Sequence, residues 1–161
     1  MITAYTDGAY SGHVAVGGWA WWVSDTLHRF GNAEDTTSNR MELQAVIDAL
    51  TALAPLAKAA GGLIIYSDSL YVVNCFADRW YVKWRLSGWV KRYGGTTSVI
   101  KNRDLWETLL SIHDSYQLEE VPLSFRHVRG HGQDKNAAPE HVEGNRMADQ
   151  LAVQAKKLRM I

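Results

Sequence analysis

Residues 63–73 read "LIIYSDSLYVV". An apolar run, Leu63-Ile64-Ile65-Tyr66, meets Ser67, Asp68 and Ser69, and a new apolar pattern begins at once. A short continuous run of this kind marks a strand buried on both faces, and it predicts a strand over 62–67. Gly61-Gly62 ends what comes before. In that preceding stretch, 39–60, Leu43, Val46, Ile47, Leu50, Leu53 and Ala57 recur at helical spacing. An acid therefore stands between a buried strand and a helix at the middle of the chain. Asp68 either caps the helix that follows or forms one corner of a metal site.

Upstream, residues 2–10, 16–24 ("VGGWAWWVS") and 27–33 read as three strands in a meander. Downstream, helical pieces are expected at 69–77, around 79–87 and at 102–114, with a last strand at 121–129. A last helix is expected at 143–158, with Ala148, Leu151, Ala152, Ala155 and Leu158 as its apolar stripe. Strands that alternate with helices after an opening meander predict an α/β fold, a mixed sheet with helices on its faces. In such sheets chemistry gathers at strand ends where the chain direction changes.

The 161 residues suit one domain with a proper core, and 47% apolar content excludes a disordered chain. One cysteine, Cys75, allows neither an intrachain disulfide nor a cysteine-based zinc site. A reducing cytosol is the expected location. The start, "MITAYTDGAY", lacks a basic region followed by an apolar core, and no unbroken apolar run approaches the roughly 20 residues of a membrane span. Net charge is zero, yet 79–103 holds Arg79, Lys83, Arg85, Lys91, Arg92, Lys101 and Arg103 and no acid, so the remainder carries −7. The patch points to a polyanion more strongly than the sum argues against one.

Four acids fall where such a fold would bring them together: Asp7 in the first strand, Glu42 in the first turn of the long helix, Asp68 at the strand end and Asp149 early in the last helix. Each also has a local reading. Glu42 lies three residues after Asn39, the spacing of a capping box. Asp68 can cap, Asp7 before Gly8 can be a turn residue, and Asp149 can be a favourable charge near a helix N-terminus. As a set they repel one another, and only cations make the cluster reasonable. Oxygen ligands without Cys select Mg²⁺ or Mn²⁺, and two ions about 4 Å apart suit phosphodiester cleavage.

The chain resembles the type 1 ribonuclease H family at Thr6-Asp7-Gly8, Thr36-Thr37-Ser38-Asn39-Arg40-Met41-Glu42-Leu43, Ser67-Asp68-Ser69, Tyr71-Val72, Lys101-Asn102-Arg103-Asp104-Leu105-Trp106, Arg129-Gly130-His131 and Asn145-Arg146-Met147-Ala148-Asp149. These pieces follow the family's order over nearly the whole chain. The resemblance implies the RNase H-like fold: a five-stranded mixed sheet, antiparallel meander plus parallel strands, with the first and fourth strands adjacent. It implies an endonuclease that cuts the RNA strand of RNA–DNA hybrids with two Mg²⁺ ions, leaving 5′-phosphate and 3′-hydroxyl ends. Asp7, Glu42, Asp68 and Asp149 would hold the metal. The alternative is a hybrid-binding module that has lost catalysis, which would gain nothing from four anions facing phosphates. A monomer with no protein partner is the default expectation.

The resemblance also implies roles outside the acids. His131 matches the family's histidine near the site and suits proton handling. Fourteen positions separate it from Asn145, so an extended polar loop is expected at 132–143, bringing Asp134, Glu140, His141 and Glu143. Residues 79–93, "RWYVKWRLSGWVKRY", interleave Trp80, Trp84 and Trp89 with Lys83, Arg85, Lys91 and Arg92. They read as an amphipathic helix and turn with indoles inward, and also as a basic protrusion, extending to 103, that grips the DNA strand. Thr37 would fit a DNA-phosphate pocket, and Ser38, Asn39, Asn145 and Glu42 would lie against the hybrid. His13 and Leu70 stand where the family usually has Asn and Gln.

Overall fold

The computed structural model describes residues 1–130 and 138–161. The meander forms as the sequence predicts: β1 (Ile2–Ser11), β2 (Val16–Ser24) and β3 (Leu27–Glu34) pair antiparallel. α1 (Ser38–Ala60) crosses to β4 (Leu63–Ser67), which pairs parallel with β1 from Ile2↔Leu63 to Thr6↔Ser67. α2 (Leu70–Ala77), α3 (Trp80–Leu86), a hairpin of β5 (Val90–Tyr93) and β6 (Thr96–Val99), and α4 (Arg103–Leu118) follow. β7 (Leu123–His127) pairs parallel with β4, and α5 (Pro139–Met160) closes the described chain. The main sheet is ordered β3-β2-β1-β4-β7, so the first and fourth strands are adjacent.

Side chains alternate across this sheet. Ala4, Leu63 and Ile65 face the larger core, made with α1, α4 and the buried Trp21 and Trp106. Tyr5 and Tyr66 face the smaller one, beneath Ala148 of α5. At Gly17-Gly18 both layers approach the sheet closely. A Cβ on Gly17 would strike the Met41 side chain, and one on Gly18 would lie 2.2 Å from the Ala152 carbonyl oxygen. By length and composition alone, α1 could cross a bilayer, a point that a search for unbroken apolar runs overlooks. Its apolar face is spent in the core, where Leu43, Val46, Ala49 and Leu50 are fully buried.

Several details depart from the sequence reading. Thr37, not Asn39, caps α1 by accepting from the Arg40 N–H, so Glu42 is not the partner in a capping box. Ser69, not Asp68, caps α2 by accepting from the Val72 N–H. α5 begins at Pro139, a residue suited to the first helical position, so 139–143 is helix rather than loop and Asp149 lies well past the N-terminus. The β5–β6 hairpin went unread, although Gly94-Gly95 between Tyr93 and Thr96 takes positive φ at both positions, as primed hairpin turns require. α4 also runs four residues past the expected end.

Candidate active site

Parallel pairing of β1 and β4 ends at Thr6↔Ser67. Asp7 comes next on β1 and Asp68 directly follows β4, which sets the acids side by side. Gly8 brings in the third. A Cβ there would lie 2.8 Å from the Glu42 backbone nitrogen, so only glycine lets the first turn of α1 rest on β1. Asp7, Glu42 and Asp68 thereby offer three carboxylate oxygens within 4.8 Å of one another. Asp149, on α5, adjoins them: its side chain shares a hydrogen bond with Asp7 and its charge bears on Glu42. Gly130 approaches from the end of β7, where a Cβ would lie 2.7 Å from Asp68 Oδ2.

The cluster is acidic and its inner members are buried. Asp7 is 3% exposed and Glu42 7%. The Gly8 N–H donates to Asp7 Oδ1 at 2.8 Å. Burial first, then the charges of Glu42 and Asp68, push the Asp7 carboxyl well above the usual range. Glu42 is also pushed up, by burial first and by Asp68 next, against the lowering effect of hydrogen bonds from Asp7 and Gly8. Glu42 Oε2 is buried without a hydrogen-bond partner among the described residues. A buried acid with an orphaned oxygen, among other acids on oxygen-only donors, fits a hard divalent cation.

Profile comparison matches residues 1–157 to RNase H. The chain belongs to the RNase H family. A ribonuclease H of Thermoanaerobacter sp. strain X514 is 36% identical over 160 residues, 98% of this chain and 90% of that one. Among solved structures, LC9-RNase H1, a type 1 RNase H with the type 2 active-site motif, aligns with a TM-score of 0.69 at 25% identity, covering 97% of this chain and 72% of that one. LC11-RNase H1, solved with an RNA/DNA hybrid, shares the fold at a TM-score of 0.68 and 20% identity over the full length of both chains. The protein is therefore a nuclease of the RNase H family, and its acids suit divalent metal.

The other residues singled out in the sequence distribute unevenly around this RNase H site. Asn145, one turn before Asp149, is 2% exposed, and its Oδ1 has no partner among the described residues. Thr37, Ser38 and Asn39 are exposed at the start of α1, and His13 is exposed in the β1–β2 turn. His131 and Asp134 lie outside the described residues. Glu140 and Glu143 are on α5, and Glu143 pairs with Arg146 at 2.7 Å. Trp89 is a core residue, and Trp80 and Trp84 are half-buried against that core. Arg85 is held by Asp114 at 2.8 Å and Arg103 by Glu107. Among the described residues, Arg79, Lys83, Lys91, Arg92 and Lys101 have no carboxylate partner. Lys83, Lys91 and Lys101 line a groove of 690 Å³ with Tyr71 and Trp84.

Two positioning features escaped the sequence reading. Arg40, in the first turn of α1, makes a two-pronged contact with Asp104 at 2.9 and 2.7 Å and also donates to Asn102 Oδ1. Asn102 Nδ2 and Trp106 Nε1 both donate to the Tyr71 hydroxyl. This network ties the Glu42 end of α1 to α2 and to the base of the protrusion. The signal for it is the motif Lys101-Asn102-Arg103-Asp104-Leu105-Trp106 at the start of α4. Gly130, within the motif Arg129-Gly130-His131, serves the close approach to Asp68.

Proposed function

We propose that the chain hydrolyses the RNA strand of RNA–DNA hybrids, with Asp7, Glu42, Asp68 and Asp149 holding two Mg²⁺ ions, or Mn²⁺ in their place. The single observation that carries this is the buried carboxylate cluster at the ends of β1 and β4. When bound, the ions supply Lewis acidity for attack of water on the phosphodiester and for departure of the 3′-oxygen. The protein's part is to hold four carboxylates together, dry and fixed, where a bound cation favours their ionised form. Burial and the Gly8 N–H hold Asp7, and the capped first turn of α1 holds Glu42. His131, by its match to the family's motif, would handle a proton.

The hybrid would enter along the groove beside α3 and the β5–β6 hairpin. Lys83, Lys91 and Lys101 would take phosphates there, with Arg79 and Arg92 nearby. Trp84 would present an indole edge to sugars, whereas Trp80 and Trp89 serve mainly to build the wall. Thr37, Ser38, Asn39, Asn145 and His13 would lie along the strand nearer the acids. RNA is told from DNA by its 2′-hydroxyls, and Asn39 and Glu42 at the start of α1 would read one there. The protein would act as a monomer in a reducing cytosol, which suits the buried thiol of Cys75.

Asp68→Asn tests the reading. The variant should bind hybrid about as tightly as the parent in Mg²⁺ and cut it at a rate reduced by orders of magnitude. Retained cutting would place the chemistry elsewhere.

A further inference from the structure

The first turns of α5 carry a contact that the acids do not explain. His141 Nδ1 lies 2.7 Å from the Tyr5 hydroxyl. The His141 ring stacks on Tyr66 with centroids 4.2 Å apart and an interplanar angle of 29°. Tyr5 and Tyr66 stack on each other at 5.4 Å and are 4% and 9% exposed. Gly144 permits the approach, because a Cβ there would lie 2.2 Å from the Tyr5 ring. At 2.7 Å the Tyr5 hydroxyl and His141 Nδ1 share a hydrogen bond.

Position gives this contact its meaning. Tyr5 and Tyr66 are paired across β1 and β4. Tyr5 lies two residues before Asp7 on β1 and shares its face of the sheet, and Tyr66 lies two residues before Asp68, which directly follows β4. His141 precedes Asn145 by one helical turn and Asp149 by two, so the three share a side of α5. One imidazole thus joins the three elements that carry Asp7, Asp68 and Asp149.

We propose that His141 is a positioning residue of the metal site, clamping the first turns of α5 onto β1 and β4 so that Asp149 is held against Asp7 and Asp68. This rests on the reading of those acids as the metal ligands. Losing a hydrogen bond of ordinary net strength shifts an equilibrium about fivefold, and losing the stack adds to that.

The test is Mg²⁺ binding by calorimetry alongside hybrid cleavage, in the parent, His141→Ala, His141→Asn, Tyr5→Phe and the Tyr5→Phe/His141→Ala double variant. His141→Ala should weaken Mg²⁺ about five- to tenfold and lower kcat with KM for hybrid unchanged. Tyr5→Phe, which keeps the ring and its packing, should produce part of the same loss. His141→Asn, which keeps an acceptor near the Nδ1 position, should recover part of it. The double variant should be no worse than His141→Ala alone, because both changes break one interaction.

Unchanged Mg²⁺ affinity in Tyr5→Phe and His141→Ala, with only melting temperature reduced, would overturn the proposal. Additive losses would do the same. If His141→Ala does not fold, Tyr5→Phe and His141→Asn decide by the same Mg²⁺ measurement. A parent protein that binds Mg²⁺ but does not cut hybrid would refute the proposed function and leave the clamp to be judged on metal binding.

Discussion

Replacing Asp7 by Asn should stabilise the metal-free protein while abolishing its response to metal. With carboxylate oxygens within 4.8 Å of one another, an ionised Asp7 would repel Glu42 by about 3–4 kcal/mol at an effective dielectric of about 20. Protonation limits that penalty. An unfolded Asp is ionised at pH 7, so keeping the proton in the folded state costs at most about 4 kcal/mol. Asn removes the charge, and its Oδ1 can still accept from the Gly8 N–H. A net gain of about 2–4 kcal/mol follows, or about 5–15 °C in melting temperature for a domain of this size.

The sign with pH is fixed by the direction of the shifts. Asp7 and Glu42 are both raised in the fold, so the folded state holds protons that the unfolded chain has released. The stability tied to those protons is complete below about pH 4 and is lost as pH rises toward the folded values. The gap between Asp7→Asn and parent should therefore be small near pH 4 and widen toward neutrality. Metal offsets that advantage: Mg²⁺ at a hundred times its Kd adds about 2.7 kcal/mol to the parent, and the variant should gain far less. Thermal melts of both proteins at several pH values, with Mg²⁺ and with EDTA, read all of this. A metal-free Asp7→Asn protein that melts below the parent at pH 7 would refute the account of a self-repelling buried cluster.

Other perturbations separate the parts. Lys83→Ala with Lys91→Ala should flatten the salt dependence of hybrid binding by about 1 in slope for each phosphate that a lysine no longer neutralises. Arg85→Ala should change the slope less, because Asp114 already holds that guanidinium. Gly130→Ala would put a methyl 2.7 Å from Asp68 Oδ2, and kcat should fall about tenfold or more with little change in hybrid affinity. Leu109→Ala, at a fully buried position of α4, should lower stability in denaturant melts by about 2–5 kcal/mol. Under conditions where it is folded, its Mg²⁺ response should be intact.

Much of the fold was legible because hydrophobic period is a local signal. The run Leu63–Tyr66 and the stripe Leu43–Ala57 announced β4 and α1 without help from elsewhere. Helix ends were less legible. Thr36, Thr37, Ser38 and Asn39 are four consecutive cap formers, and which one caps depends on where Gly8 lets α1 meet β1. Ser69 takes the cap of α2 because Asp68 is turned toward the other acids. The hairpin was masked by the helical, indole-rich stretch before it, although Gly94-Gly95 marked its turn. The acids could be chosen as a set, but no single one could be assigned without the parallel register that sets Asp7 beside Asp68. The clamp at His141 was the least visible. His141 fell in a segment read as loop, and its partners lie 136 and 75 positions away along the sequence.

The most direct measurement is cleavage of four matched end-labelled substrates, RNA–DNA hybrid, RNA duplex, DNA duplex and single-stranded RNA, each with Mg²⁺ and with EDTA. The account predicts metal-dependent cutting confined to the RNA strand of the hybrid. Equal cutting of the other substrates would contradict the substrate assignment. Hybrid that is bound but left whole in Mg²⁺ would contradict catalysis itself.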